Sequence, residues 1–251
     1  MMKKIFAAMI LCAAALALTV GGAFAEEKTY VNGIDFGFPP FGYVDKEGKP
    51  MGFDVESVNW IADKMGFKVK HQPMDWDGII PALVNKKIDL IASGMSATAE
   101  RAKIVNFTIP YYQVTQVMVV KDDNAADLKT MLTSGKKIGA QRGTVTYKLL
   151  EEYAKNPDYK FELVAYDSTD LAMEDMKIGR IEGSGMDSSI ANDIMKTNKT
   201  FKVAGTFDAA PENYGYAVRK EDKELLDKLN KGLELLMKDP YWQELKKKYG
   251  I

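Results

Sequence analysis

Between residues 30 and 249, short apolar and β-branched runs alternate with segments whose apolar residues recur at helical spacing. This alternation constrains the fold more than any other feature of the chain. Strands separated by helices join as crossovers, and the stable packing is a layered α/β architecture with mostly parallel sheets. The spacing predicts a strand over 30–35, a Gly/Pro-rich loop from Gly37 to Gly42 and a tight turn over 44–48. A helix follows, with Val55, Val58, Ile61, Ala62 and Met65 on one face, Asp54 placed to cap its start and Gly66 its end. Further strands are expected over 67–71, 89–93, 116–120, 137–141, 161–166, 181–186 and 201–204. Further helices are expected over 76–85, where Pro81 is a blemish, and over 144–155, 169–179, 223–238 and 241–249.

Composition narrows what such a fold does. The 251 residues are 46% apolar and 27% charged, as in ordinary globular proteins. A balance of 34 basic against 35 acidic residues leaves no electrostatic footprint for nucleic acid or an anionic membrane. One cysteine, Cys12, and one histidine, His71, supply neither a Cys2His2 zinc site, nor a Cys/His catalytic pair, nor a disulfide framework. Asp122, Asp123, Asn124 and Asp127 lack the spacing and glycine of a calcium loop and read as a polar loop. No metal and no cofactor are expected.

The N-terminus has two lysines, Lys3 and Lys4, an apolar run over 5–20, and Ala23-Phe24-Ala25 before Glu26-Glu27-Lys28. This is the pattern of a secretory signal peptide, residues 1–25, cleaved after Ala25; an uncleaved membrane anchor is the alternative. Cys12 lies inside the run without the small preceding residue of a lipidation site. The mature chain is therefore expected to be exported, periplasmic and free of cysteine.

Three loops place polar residues where strands run into helices, the positions at which open α/β sheets bind ligands. The first, 92–101, carries Ser93, Gly94, Ser96 and Arg101; its free amides and the planar fork of Arg101 suit a carboxylate, and a capped turn with a surface arginine explains it equally well. The second, 140–144, offers Gln141 and Thr144, where Thr144 either caps a helix or presents its hydroxyl to an anion. The third, 183–189, ends in Asp187, a cation ligand or a helix cap. Asp35 closes the first strand before Phe38 and Phe41, and Trp76 opens a later helix; these aromatics either cover an alkyl or cationic ligand or belong to the core.

The ordered set resembles the extracytoplasmic solute-binding proteins of polar amino-acid ABC transporters. The likeness runs through Asp35-Phe36-Gly37-Phe38-Pro39-Pro40-Phe41, Gly52-Phe53-Asp54-Val55, Trp76-Asp77-Gly78-Ile79-Ile80-Pro81-Ala82-Leu83, Lys87-Ile88-Asp89-Leu90 and Ser93-Gly94-Met95-Ser96. It continues through Thr98, Arg101, Tyr111-Tyr112, Gly143-Thr144, Asp187 and Tyr214-Gly215. The resemblance implies a two-lobed periplasmic-binding-protein fold of type II. Each lobe is a mostly parallel sheet flanked by helices, and two hinge strands join lobe one (26–113 and 213–251) to lobe two (114–212).

It further implies that Arg101 clamps a ligand α-carboxylate with Ser96 and Thr144, and that Asp187 takes the α-ammonium. Phe38 and Trp76 cover the side chain, Ser93 and Gly94 border it, and Asp35 and Gln141 face its distal polar group. Gln141 stands where some glutamine-specific relatives carry lysine, and Met186 where they carry histidine. Asp35, neutral Gln141 and the aromatic pair suit a basic or amide side chain: arginine, lysine, histidine or glutamine. The resemblance implies a non-enzymatic, monomeric binder that delivers its amino acid to an inner-membrane ABC permease. The alternative on the same scaffold is a periplasmic dehydratase of cyclohexadienyl acids such as prephenate or arogenate, which requires an acid in the cleft.

Overall fold

The computed structural model describes residues 27–251, so the signal peptide expected over 1–25 lies outside the described residues. The chain builds two lobes, each around one five-stranded sheet. The first sheet contains β1 (Thr29–Ile34), β5 (Lys68–Pro73), β6 (Leu90–Ile91), β7 (Val105–Phe107) and β15 (Ala217–Arg219), in the order β5-β1-β6-β15-β7. The second contains β9 (Gln116–Lys121), β10 (Lys136–Gln141), β11 (Phe161–Tyr166), β12 (Gly183–Asp187) and β13 (Phe201–Thr206), in the order β11-β10-β12-β9-β13. A small ribbon of β2 (Gly37–Phe38), β3 (Gly42–Val44) and β4 (Pro50–Met51) follows β1 and includes the tight turn expected over 44–48.

The lobes are joined by β8 (Tyr112–Val114) and β14 (Glu212–Tyr214), which pair antiparallel. Each delivers the chain into the other lobe's sheet, β8 into β9 and β14 into β15. Those two arriving strands are the antiparallel ones: β9 against β12 and β13, and β15 against β6 and β7. The reason is geometric. The parallel strands point their carboxyl ends at the space between the lobes, so a strand entering from that side runs the opposite way. The expectation of mostly parallel sheets is met.

Packing follows from period-two alternation on the sheets and helical stripes above them. In β6, Leu90 faces one apolar cluster and its neighbour Ile91 the other; in β15, Val218 and Ala217 divide the same way. On one face, α1 (Phe53–Met65) lays Phe53, Val58 and Ile61 against Leu225, Leu229 and Leu233 of α8 (Lys223–Leu236). Gly232 makes that approach close, because a Cβ there would sit 2.4 Å from Ile61 Cγ2. On the other face, α2 (Trp76–Val84) buries Ile79 and Leu83. Burying each such side chain contributes about 1.5–3 kcal/mol. Pro81 lies within α2 and the helix runs through it.

Some boundaries differ from expectation. Asp54 does not cap α1: Gly52 occupies that position with φ 128°, and Asp54 turns inward in the first turn, fully buried. Gly66 closes the helix in the left-handed conformation, as expected. The segment read as a polar loop leads into a short helix, α4 (Leu128–Thr133), capped by Asp127 through the Thr130 amide; it follows α3 (Ala99–Ile104) in the chain. In the second lobe α5 (Val145–Lys155), α6 (Thr169–Lys177) and α7 (Ser188–Thr197) flank the sheet, and α9 (Pro240–Tyr249) ends the chain against the first lobe. Among the described residues no helix is long and apolar enough to cross a membrane.

Candidate ligand-binding cleft

In both sheets the site is built where neighbouring strands connect in opposite directions. β1 and β6 are adjacent in the first sheet, β10 and β12 in the second, and the polar loops identified from sequence leave their carboxyl ends. Backbone approach is close there. Gly94 has φ +58°, and a Cβ on it would lie 2.5 Å from Phe38 Cε1, so no other residue fits beneath that ring unchanged.

Arg101 is held in α3, which Thr98 caps through the Arg101 amide. Its guanidinium donates to Ser96 O at 3.0 Å in its own lobe and to Gly143 O at 2.9 Å in the other, and lies 5.3 Å from the Trp76 ring centroid. Burial pulls its pKa down while Asp187 and Glu212 oppose the shift, and arginine remains a cation throughout the range in which proteins work. Arg101 is therefore a buried cation, not a surface arginine.

Thr144 is both things expected of it. Its hydroxyl caps α5 by accepting from Tyr147 N and donates to Gln141 O at 2.7 Å, and the residue lines the cleft. Asp187 stands at the N-cap position of α7 but makes no capping bond. Its Oδ1 accepts from Gln116 Nε2 at 2.9 Å and its Oδ2 from the Tyr214 hydroxyl. Burial pushes its pKa up to about 6, against the pull of those two donors and of Arg101. Both oxygens accept, so the carboxyl is arranged to meet a cation. A dehydratase would need it as a proton donor.

Phe38 and Trp76 stand nearly parallel, 10° apart with ring centroids 6.2 Å apart. With Gly94, Ser96, Arg101, Gln141, Thr144 and Asp187 they line one narrow cleft. Asp35 and Ser93 lie just behind its wall. The Asp35 amide donates to Ser93 Oγ at 3.0 Å, its Oδ1 accepts from Gly37 N and its Oδ2 from Gln141 Nε2. Burial raises the Asp35 pKa. The ten residues assigned to the ligand from sequence thus fall in or against one cleft between the lobes, whereas Phe41 belongs to the core.

The sequence reading missed Gln116 and Thr169, and quoted Tyr214 in the family likeness without giving it a role in the site. Thr169 lines the cleft and donates to Gln141 Oε1 at 3.3 Å, and its place at the start of a predicted helix was a usable signal. Gln116 and Tyr214 reach Asp187 only because the sheet and the crossing strands bring them there. His71 lies away from the cleft: its Nδ1 accepts from Asn32 Nδ2 and its Nε2 pairs with Asn59 Oδ1. No group of three or more metal-ligating side chains occurs among the described residues.

Two α/β lobes, two antiparallel crossing strands, and a cleft in which a guanidinium from one lobe faces a carboxylate from the other define a hinged solute-binding protein. The chain belongs to the bacterial extracellular solute-binding proteins, family 3, whose profile matches residues 30–251. It is 34% identical over 251 residues to ABC transporter arginine-binding protein 1 of Escherichia coli (strain K12), covering 97% of each chain. It is also similar to the structure of an ancestral arginine-binding protein bound to arginine, with TM-score 0.81, 38% identity, and coverage of 89% of this chain and 98% of that one. An ABC uptake transporter substrate-binding protein from Streptococcus pneumoniae with bound histidine matches with TM-score 0.83 and 32% identity over 88% of this chain and 92% of that one.

Proposed function

We propose that this protein captures an L-amino acid with a basic or amide side chain, arginine foremost, and hands it to an inner-membrane ABC permease. The observation that carries the reading is the opposition of Arg101 and Asp187 across the cleft, a fixed cation and a fixed anion spaced by the two lobes. An α-carboxylate on Arg101, with Ser96 and Thr144 beside it, and an α-ammonium on Asp187 satisfy both. Phe38 and Trp76 cover the side chain, with Ser93 and Gly94 at the edge. Asp35, whose carboxylate accepts only from the Gly37 amide and Gln141 Nε2 among the described residues, takes a distal cation, while Gln141 serves an amide as readily. Relatives named for arginine and histidine support this choice of side chain.

The leader over 1–25 and membership of an extracellular family support export to the periplasm, where the protein acts as a monomer without nucleic-acid partners. Lobe one comprises 26–113 with 213–251 and lobe two 114–212, boundaries supported by the pairing of β8 with β14.

The experiment is calorimetric titration of protein that has been unfolded and refolded to remove carried ligand, against the twenty amino acids and prephenate. Arginine is expected to bind with a Kd in the micromolar range or tighter, about −8 kcal/mol or better. Absence of binding by any amino acid, or turnover of prephenate, overturns the reading.

A further inference from the structure

Asp54 has no exposed surface and does not line the cleft. Its Oδ2 accepts two hydrogen bonds, from the Gly94 amide at 2.6 Å and from the Tyr111 hydroxyl at 2.9 Å, while its Oδ1 is buried without any partner. The two donors belong to different working parts of the molecule. Gly94 is in the wall of the cleft, pinned between Asp54 and the Phe38 ring. Tyr111 immediately precedes the crossing strand β8, is itself buried, and its amide donates to Tyr214 O of the other crossing strand. One carboxylate oxygen is therefore shared by the ligand loop and the root of the hinge.

A buried carboxylate with an unpartnered oxygen costs free energy that an apolar residue would not, so its place here calls for a compensating role. Charge-assisted bonds are about twice as strong as neutral ones, and Asp54 adds two of them to segments that backbone bonds already join, from Ala97 N to Asn213 O at 2.8 Å and from Gly215 N to Met95 O at 3.1 Å. We propose that Asp54 is a positioning residue for ligand capture: through Gly94 and Tyr111 it locks the binding loop of the first lobe to the hinge root, so that the cleft and the hinge respond as one unit. The proposal rests on the reading of the protein as an amino-acid binder.

Burial pushes the Asp54 pKa up to about 7. The titratable groups around it are the phenols of Tyr111, Tyr214 and Tyr216, all held protonated by burial well above the ordinary tyrosine range. Asp54 alone in this cluster changes charge near neutrality. The lock is then stronger at pH 8, with the carboxylate ionised, than at pH 6.

The test uses the whole mature chain and two variants, Asp54→Asn, which keeps the shape and removes the charge, and Tyr111→Phe, which removes only the hinge-side bond. Two quantities are read: the Kd for L-arginine at pH 8 and pH 6, and hydrogen exchange of the Gly94 amide in ligand-free protein. Asp54→Asn is expected to weaken arginine binding about tenfold at pH 8, with a smaller deficit at pH 6. Tyr111→Phe is expected to speed Gly94 exchange although it makes no contact with Gly94. Wild-type affinity and Gly94 exchange in Tyr111→Phe overturn the proposal, as does Asp54→Asn that lowers Tm but binds arginine normally at both pH values. If Asp54→Asn does not fold, Tyr111→Phe decides. Should the wild-type protein bind no amino acid while Tyr111→Phe still frees Gly94, the coupling stands and the binding reading fails.

Discussion

Gln141 Nε2 lies 2.9 Å from Asp35 Oδ2, a hydrogen bond that joins the two lobes at the side-chain end of the cleft. Gln141 is itself held in the second lobe, donating to Asp167 O at 3.1 Å and accepting from Thr169 Oγ1. A neutral donor therefore meets a buried carboxylate that has no cation of its own, and on the proposed reading a ligand bringing one is favoured over a ligand that does not.

Asp35→Asn is accordingly expected to weaken arginine and lysine by about 1.5–3 kcal/mol, roughly ten- to a hundredfold, and glutamine by much less. Calorimetric titration with the three amino acids checks it. Equal losses for all three would assign Asp35 a purely structural role.

Arg101 makes the other end of the cleft, and truncating a buried charge that clamps a charge costs about 2–5 kcal/mol. Arg101→Ala should nearly abolish arginine binding. Arg101→Lys should not restore it, because an ammonium cannot reach Ser96 O, Gly143 O and a carboxylate in one plane. Full binding by the lysine variant would remove the clamp from the mechanism.

Asp187 must be ionised to hold an ammonium, and burial pushes its pKa up to about 6. Affinity is expected to be level above that pH and to fall as pH drops through it. Tyr214→Phe removes one donor to the carboxylate, raises its pKa further and moves the fall toward neutrality. A Kd measured from pH 5 to 8 that stays flat in both proteins contradicts this role.

His71 governs a separate, acid-side loss of stability. Burial lowers its pKa from 6.5 to about 4, and its Nδ1 is an acceptor for Asn32, so the folded state holds it neutral. The unfolded chain takes up the proton first as pH falls below 6.5. The stabilisation from neutral His71 is complete above that pH and is lost progressively toward pH 4, by at most about 3 kcal/mol. Urea unfolding of wild type and His71→Gln at pH 7 and pH 4.5 should show a larger drop for wild type.

Gly94→Ala tests the close approach in the cleft wall. A methyl group there meets the Phe38 ring at 2.5 Å on a backbone with φ +58°, so the ring must turn away. Arginine binding should fall at least about tenfold and Tm by several degrees. A variant that binds as wild type would show that Phe38 has room the cleft does not display.

Much of the molecule is legible in the chain because local rules suffice for it. Alternating strands and helices, Gly66 as a helix stop, Thr144 as a cap and the positions of Arg101, Gln141 and Asp187 at strand ends follow from periodicity and turn chemistry, which act over a few residues. Roles that depend on who arrives from elsewhere are not. Asp54 has the sequence of a helix cap, yet Gly52 takes that place and Asp54 turns toward Gly94 and Tyr111, 40 and 57 residues away. Asp187 sits where a cap would be, and is claimed by Gln116 and Tyr214 across two strands. The sequence by itself determined the layers and the polar loops at their edges, through interactions between near neighbours. Only the tertiary structure decided which carboxylates face the cleft, because burial and distant donors set a side chain's direction and charge, and neither is encoded in its immediate surroundings.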